Sequence, residues 1–235
     1  MKSRHLLTCI FLYITVIVCN AQTTKICIVS AADTTFLHQH VGLTIFNNFT
    51  DTIPINFSII HHLEKKLQDY LNPDYSVSFV QFPDSVISAK NGFFSSAKTK
   101  KIKQWITTKK DIYDLVIVID NMELSENNRM IPKYTSGIFS RGSNVAYYTT
   151  ISFFAYRTSN LKMLEYYHEG GDFLKLDKGF KLPEDKKSFT PEMMNYLYDG
   201  FRNYLDSRVE HFLAKTYLVP QDRIDLKKAE LGTAK

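Results

Sequence analysis

Apolar and polar positions along the chain alternate between two periods, and the switches between them outline a fold. "KICIVSA" (25–31) and "YDLVIVID" (113–120) are short runs rich in Ile and Val, the pattern of strands buried on both faces. "YSVSFVQF" (75–82) predicts a third strand, closed by Pro83. Between the first two strands, after a linker, Ile59, Ile60, Leu63, Leu67, Tyr70 and Leu71 recur at helical spacing and make one apolar stripe. Pro54 suits the first turn of that helix, and Asn72-Pro73 stops it. Residues 84–109 carry a helical pattern again, interrupted at Asn91-Gly92. Strand, helix, strand, helix, strand, joined by right-handed crossovers, predicts a parallel sheet with helices on its faces.

After residue 130 the pattern changes. "YTSGIFS", "VAYYTTISFFAY" and "LKMLEYYH" are β-prone runs separated by the turn-forming "RGSN" (141–144) and "RTSN" (157–160). Links this short demand antiparallel neighbours, so an antiparallel meander should extend the parallel core into one mixed sheet. Residues 170–188 are polar and punctuated, and read as a surface loop. Thr190 and Pro191 then cap and open a long helix whose Leu197, Phe201, Leu205 and Phe212 keep one apolar face. Pro220 ends it. The expected fold is α/β: a three-layer αβα sandwich with a mixed sheet and a long C-terminal helix. Residues 22–220 would form a single domain, and 221–235 a charged tail with little to bury.

The first segment changes the picture. "MKSRH" is a basic n-region, "LLTCIFLYITVIV" (6–18) is an uncharged run of 13 residues, and Cys19 and Ala21 offer a cut before Gln22. This is the layout of a secretory signal peptide over residues 1–21. The run falls short of the ~20 residues that span a bilayer. Lipidation at Cys19 is an alternative, although Val18 stands where such sites carry a small residue. The expected location is the periplasm, the cell surface or outside the cell, with the membrane only as an export route or through that lipid.

Removing the leader takes away Lys2 and Arg4 and lowers the formal charge from +5 to +3, too mild for a nucleic-acid partner. The lysines of "AKTKKIKQ" (97–104) read as a solvated helix face. Cys9 and Cys19 belong to the leader, so Cys27 stands alone, a small filler in an apolar strand rather than a nucleophile or half of a disulfide. The 44% hydrophobic and 23% charged composition is that of a globular domain able to bury a core.

Candidate chemistry is sparse. His38 and His40 would share a face on a strand, but no HxxxH or HExxH spacing supplies a third ligand, so they read as surface histidines and no metal is expected. Nucleophile elbows and phosphate-binding glycine loops are absent from the sequence, and no cofactor is implied. The strand ends remain. Ligands of open α/β sheets bind beyond the carboxyl ends of parallel strands. Ser30, Asp33, Thr34 and Thr35 follow the first strand, and Asp120 and Asn121 close the third. Both acids should lie at one edge of the sheet, able to hold a small polar ligand or merely to cap turns. The leading expectation is therefore an exported, non-enzymatic α/β domain that binds a small polar ligand or a protein partner. The alternatives are a secreted hydrolase with a carboxylate site at the strand ends, and a cell-envelope assembly component using the aromatic meander (Tyr147, Tyr148, Phe153, Phe154, Tyr156, Tyr166 and Tyr167) as its interface.

The leader reading predicts that protein exported by its native host starts at or near Gln22. Intact-mass measurement checks this; a retained Met1 or a diacylglyceryl group on Cys19 would overturn it.

Overall fold

The computed structural model describes residues 23–42, 47–89, 97–122, 135–142, 144–167, 174–176, 182 and 189–233. The expected leader with Cys19, the Asn91-Gly92 interruption, and the side chains of Tyr166 and Tyr167 lie outside the described residues. The elements run β1 (Lys25–Ser30), β2 (Phe36–Val41), β3 (Phe49–Thr52), α1 (Ile59–Leu71), β4 (Ser76–Phe79), α2 (Asp84–Ile87), α3 (Ala97–Thr107), β5 (Leu115–Asn121) and β6 (Ser136–Arg141). They continue with β7 (Asn144–Thr149), β8 (Ile151–Arg157), β9 (Met163–Tyr167), β10 (Leu174–Lys175), α4 (Pro191–Lys215) and α5 (Gln221–Thr233).

Among the described residues the strands form two mixed five-strand sheets, ordered β4-β1-β5-β8-β9 and β10-β7-β6-β2-β3. β1 lies between β4 and β5 and is parallel to both, as the sequence pattern predicts. The single mixed sheet is corrected. β8 and β9 extend the first sheet, whereas β6 and β7 join β2 and β3 in the second. The run "VAYYTTISFFAY" changes sheet at Thr150, which sits between the end of β7 and the start of β8. Thr150 donates its N–H to the Thr135 carbonyl (3.0 Å) and accepts the Met122 N–H (2.9 Å), so its backbone stays paired through the change. A β-prone run with no Gly or Pro gives no turn signal to announce it.

Four further expectations change. The expected linker contains β2 and β3, because Phe36, His38 and His40 alternate as one face of a strand. The first helix starts at Ile59 rather than near Pro54, because the Ser58 side chain accepts the His61 N–H and caps it there. Residues 221–233, read as a tail, are helix α5: Ile224 is buried in the core, Arg223 pairs with Asp74, and Lys227 lies over the Tyr70 ring. One ion pair, one cation–π contact and one buried apolar residue do what a stripe does elsewhere. Leu174 and Lys175, inside the expected loop, form the short β10.

Packing explains the alternation. Ile26, Ile28, Leu115, Ile117, Ile119, Phe153 and Ala155 pack with α1 and α4. Their neighbours Cys27, Val29, Val116 and Val118 face the other way and pack with Ile102, Trp105 and Ile106 of α3. Each fully buried Leu, Ile or Phe contributes about 2 kcal/mol, so these two clusters dominate the stability. Helix α4 starts as expected, with the Thr190 hydroxyl accepting the Met193 N–H and Pro191 in its first turn. It reaches both sheets: Phe201 meets Phe36 of β2 edge-on at 4.8 Å, and Phe212 stacks on Phe153 of β8 at 5.2 Å. Of the meander aromatics, Tyr147 and Phe153 are buried with α4, Tyr156 is buried on the α3 side, and Tyr148 is buried as well. Cys27 is fully buried, and burial pushes its thiol up to about 11, as befits a filler.

Gly137 of β6 has a φ of +152°, and a Cβ there would stand 1.9 Å from the Leu37 carbonyl oxygen of β2. Gly137→Ala should therefore cost several kcal/mol, roughly 2–4, by forcing the two strands apart. Urea unfolding of the variant measures it; a loss below about 0.5 kcal/mol would mean that the second sheet is not paired this way.

Candidate functional site

Strands β1 and β5 are parallel neighbours with Ser30 opposite Ile119, so both deliver their following residues to one end of the first sheet. This end is also the seam with the second sheet. Just past it, the Asp33 N–H is bonded to Asn121 Oδ1 at 2.5 Å, and Asn121 Nδ2 donates to Thr150 Oγ1 at 2.9 Å and to the Asp33 carbonyl at 3.4 Å. The Asn121 side chain thus ties the end of β5 to the chain leaving β1 and to the junction of β7 and β8.

Asp33 spends Oδ1 on its own turn, accepting the N–H (2.8 Å) and hydroxyl (2.7 Å) of Thr35. The Ser30 hydroxyl accepts the Ala32 N–H at 3.3 Å, a second local turn. Thr34 is exposed. Ser30, Asp33, Thr35 and Asn121 are therefore brought together, and their recorded bonds hold the chain as it leaves β1.

Asp120 is placed differently. Side chains alternate along β5, so Val116, Val118 and Asp120 share the face packed by α3, while Asn121 points to the opposite one. Lys98 of α3 reaches over this end, donating to Asp120 Oδ1 at 2.5 Å and to the Ala31 carbonyl at 3.1 Å. The Asn121 N–H adds a third bond, also to Asp120 Oδ1, at 2.9 Å. Burial raises the Asp120 pKa, and the Lys98 ammonium opposes that rise. Burial, not repulsion from a second carboxylate, is what raises it. Among the described residues Asp120 Oδ2 makes no hydrogen bond, although 8% of the residue remains exposed. Lys98 corrects the reading of a fully solvated lysine face: Lys100, Lys101 and Lys103 are exposed, but Lys98 is drawn in by Asp120. No sequence spacing links residues 98 and 120, so this partner was not readable.

A second polar cluster lies in the other sheet. His38 and His40 share one face of β2, as expected, but they are not surface residues: His38 is buried and His40 half-buried. Both converge on Ser140 of β6, His38 through Nε2 and His40 through Nδ1, each 2.8 Å from its Oγ. One hydroxyl proton serves two imidazoles, so Ser140 donates to one ring and accepts an N–H from the other. Phe49 stacks on His40 at 4.9 Å and meets His38 edge-on at 5.2 Å. No group of three or more His, Cys, Asp or Glu among the described residues is arranged to hold a metal ion.

No protein-family model matches the chain, and no curated protein sequence matches it. A structural similarity is found to the crystal structure of a lipoprotein from Neisseria meningitidis, with 12% sequence identity, 78% of this chain and 99% of that chain covered, and a TM-score of 0.30. Among the described residues no helix is long and apolar enough to cross a membrane.

The histidine cluster makes stability pH-dependent. Burial first, then the neighbouring His40, lowers the His38 pKa to about 4, against a smaller opposing pull from Asp51. Unfolded, the ring titrates at its ordinary 6.5 or so, so between those values the unfolded chain binds more protons. The His38 contribution is complete above about pH 6.5 and is lost as the pH falls through 4, at most about 3 kcal/mol. Urea midpoints measured from neutral to about pH 4 should fall in this window, and His38→Gln should flatten the fall. An equal slope in the variant would place the titration elsewhere.

Proposed function

We propose that this chain is an exported binding domain that takes a small, hydroxyl-rich ligand over the ends of β1 and β5, beside Asp120 and Lys98. The observation that carries the reading is the Lys98–Asp120 pair itself. A mostly buried ion pair is a poor way to gain stability, because desolvation offsets the attraction. This one stands at the carboxyl end of a central parallel strand, where α/β sheets bind ligands. It leaves Asp120 Oδ2 as an acceptor with some exposure and a lysine already positioned beside it. An acceptor flanked by an ammonium suits vicinal hydroxyls, which donate to the carboxylate and accept from the lysine. The proposal includes the three-layer arrangement of the first sheet, with α1 and α4 on one face and α2 and α3 on the other, since α3 must cover that face to deliver Lys98. Export is part of the same proposal and rests on the leader reading. Asp33 belongs to the turn, so the ligand contacts are assigned to Asp120 and Lys98 first.

Thermal melts against a panel of monosaccharides, amino sugars, linear polyols and divalent cations test it. At least one hydroxyl-rich compound should raise the melting temperature of the wild type by several degrees and leave Asp120→Asn and Lys98→Met unmoved. A shift that survives both substitutions, or one produced only by the cations, would overturn the reading.

A further inference from the structure

Each sheet has two edge strands, and three of the four carry a charge: Asp51 in β3, Glu165 in β9 and Lys175 in β10. Charge on an edge strand is a usual defence against pairing with another chain. β4 has none. Residues 75–82, "YSVSFVQF", contain no charged residue and no proline, and the pairing of β4 with β1 runs without a bulge. Phe79, at the end of β4, is 41% exposed.

The direction of the β4 amides follows from its pairing. The Ser76 N–H bonds the Thr24 carbonyl and the Val80 N–H bonds the Ile28 carbonyl, so the even-numbered residues turn their amides toward β1. Backbone groups alternate along a strand, so Val77 and Phe79 turn theirs outward. Among the described residues those outward groups make no hydrogen bond. In register with Ile26 and Ile28, the Val77 and Phe79 side chains lie on the α1-facing side of the sheet.

From this we infer that β4 pairs antiparallel with β4 of a second copy of the chain, about a two-fold axis at Ser78. That axis sets Val77 of each copy opposite Phe79 of the other. Both are outward-facing residues, so each opposed pair exchanges two N–H···O=C bonds, four in all. The same pairing lays an aromatic side chain against a β-branched one on a single face, twice, a favourable cross-strand combination. Ser78 meets Ser78 on the opposite face in a non-hydrogen-bonded pair, where Cα atoms approach to about 4.5 Å. Farther out, Asp74 falls opposite Phe82, so the register sets no like charges against each other. A two-fold axis between residues 77 and 78 would instead pair outward-facing groups with inward-facing ones. The self-complementarity selects the second copy over an unrelated extended peptide, and the first sheets of the two copies become one sheet of ten strands.

Sedimentation velocity on protein purified from its native host should show a dimer at micromolar concentration. Phe79→Lys should weaken association at least tenfold while leaving the melting temperature at low concentration unchanged, and Phe79→Thr should weaken it less. In a Cys27→Ala background, needed because Cys27 is the β1 neighbour of position 78, Ser78→Cys should form an intermolecular disulfide on oxidation. The distance falls in the range that a disulfide spans. Ser76→Cys, which faces Val80, should not cross-link. A monomer at all concentrations overturns the inference. So does a dimer indifferent to Phe79→Lys, cross-linking at 76 as readily as at 78, or strand addition by a foreign peptide in place of the second copy.

Discussion

Three segments of the chain pass from the first sheet to the second within a few residues of one another, and no backbone polar group can be left unpaired where they cross. Ala31 is still bonded to the first ladder through the Ile119 carbonyl, while Thr35 already accepts the Ser136 N–H in the second. Thr150 is the whole of the third crossing, bonded to Thr135 and Met122 through its backbone and to Asn121 and Thr135 through its hydroxyl. An unpaired buried amide costs about 1–3 kcal/mol. Four or five such groups at the seam would rival the whole stability of a domain, about 5–15 kcal/mol. Small polar side chains at 33, 121, 135 and 150 are therefore demanded by the fold before any ligand is considered.

Helix α4 makes the seam rigid. Its 25 residues extend about 37 Å, enough to lay Phe201 on the second sheet and Phe212 on the first. Between them, Arg208 is buried and donates through Nη2 to the Ile151 carbonyl at 3.2 Å, immediately after the Thr150 crossing. Two residues earlier, Asp206 holds His62 and Lys66 of α1. Burial alone would raise the Asp206 pKa, but these two partners bring it below its ordinary value, so the carboxylate stays ionised. Glu210 continues the contact by accepting from Tyr70 and pairing with Lys228. Thus α1 and α5 are registered on α4 by charge, and the sheets by aromatic rings.

Much of this was legible in the sequence because it is periodic. β1, β5, α1 and α4 each carry an uninterrupted apolar pattern that one face or one environment explains. What was not legible is what long-range pairing decides. Strand β2 buries imidazoles where a strand pattern expects aliphatics, because Ser140, about a hundred residues later, satisfies both rings. The sheet change at Thr150 leaves no local mark, since both strands it joins are equally β-prone. Lys98 looks like its exposed neighbours until α3 is laid against β5. Helix α5 has too few apolar residues to show a stripe, and its position depends on Asp74, Tyr70 and Glu210.

The parity of β5 separates the two roles that its last residues play. Asp120 and Asn121 are adjacent, so they necessarily face opposite sides of the sheet. Asn121 goes to the seam, where its amide, both donor and acceptor, is the side chain that can bond an N–H and a hydroxyl oxygen at once. Asp120 goes to the α3 side, where nothing in the ladder requires a carboxylate and its bonded oxygen is held by a helix rather than a turn. A residue whose chemistry the fold demands says little about function. Asp120 exceeds what its strand needs, and Asp33, tied twice to Thr35, does not. The two acids that the sequence presents as equivalent are thereby ranked, and the ligand contacts proposed above fall on the α3 side of the strand ends.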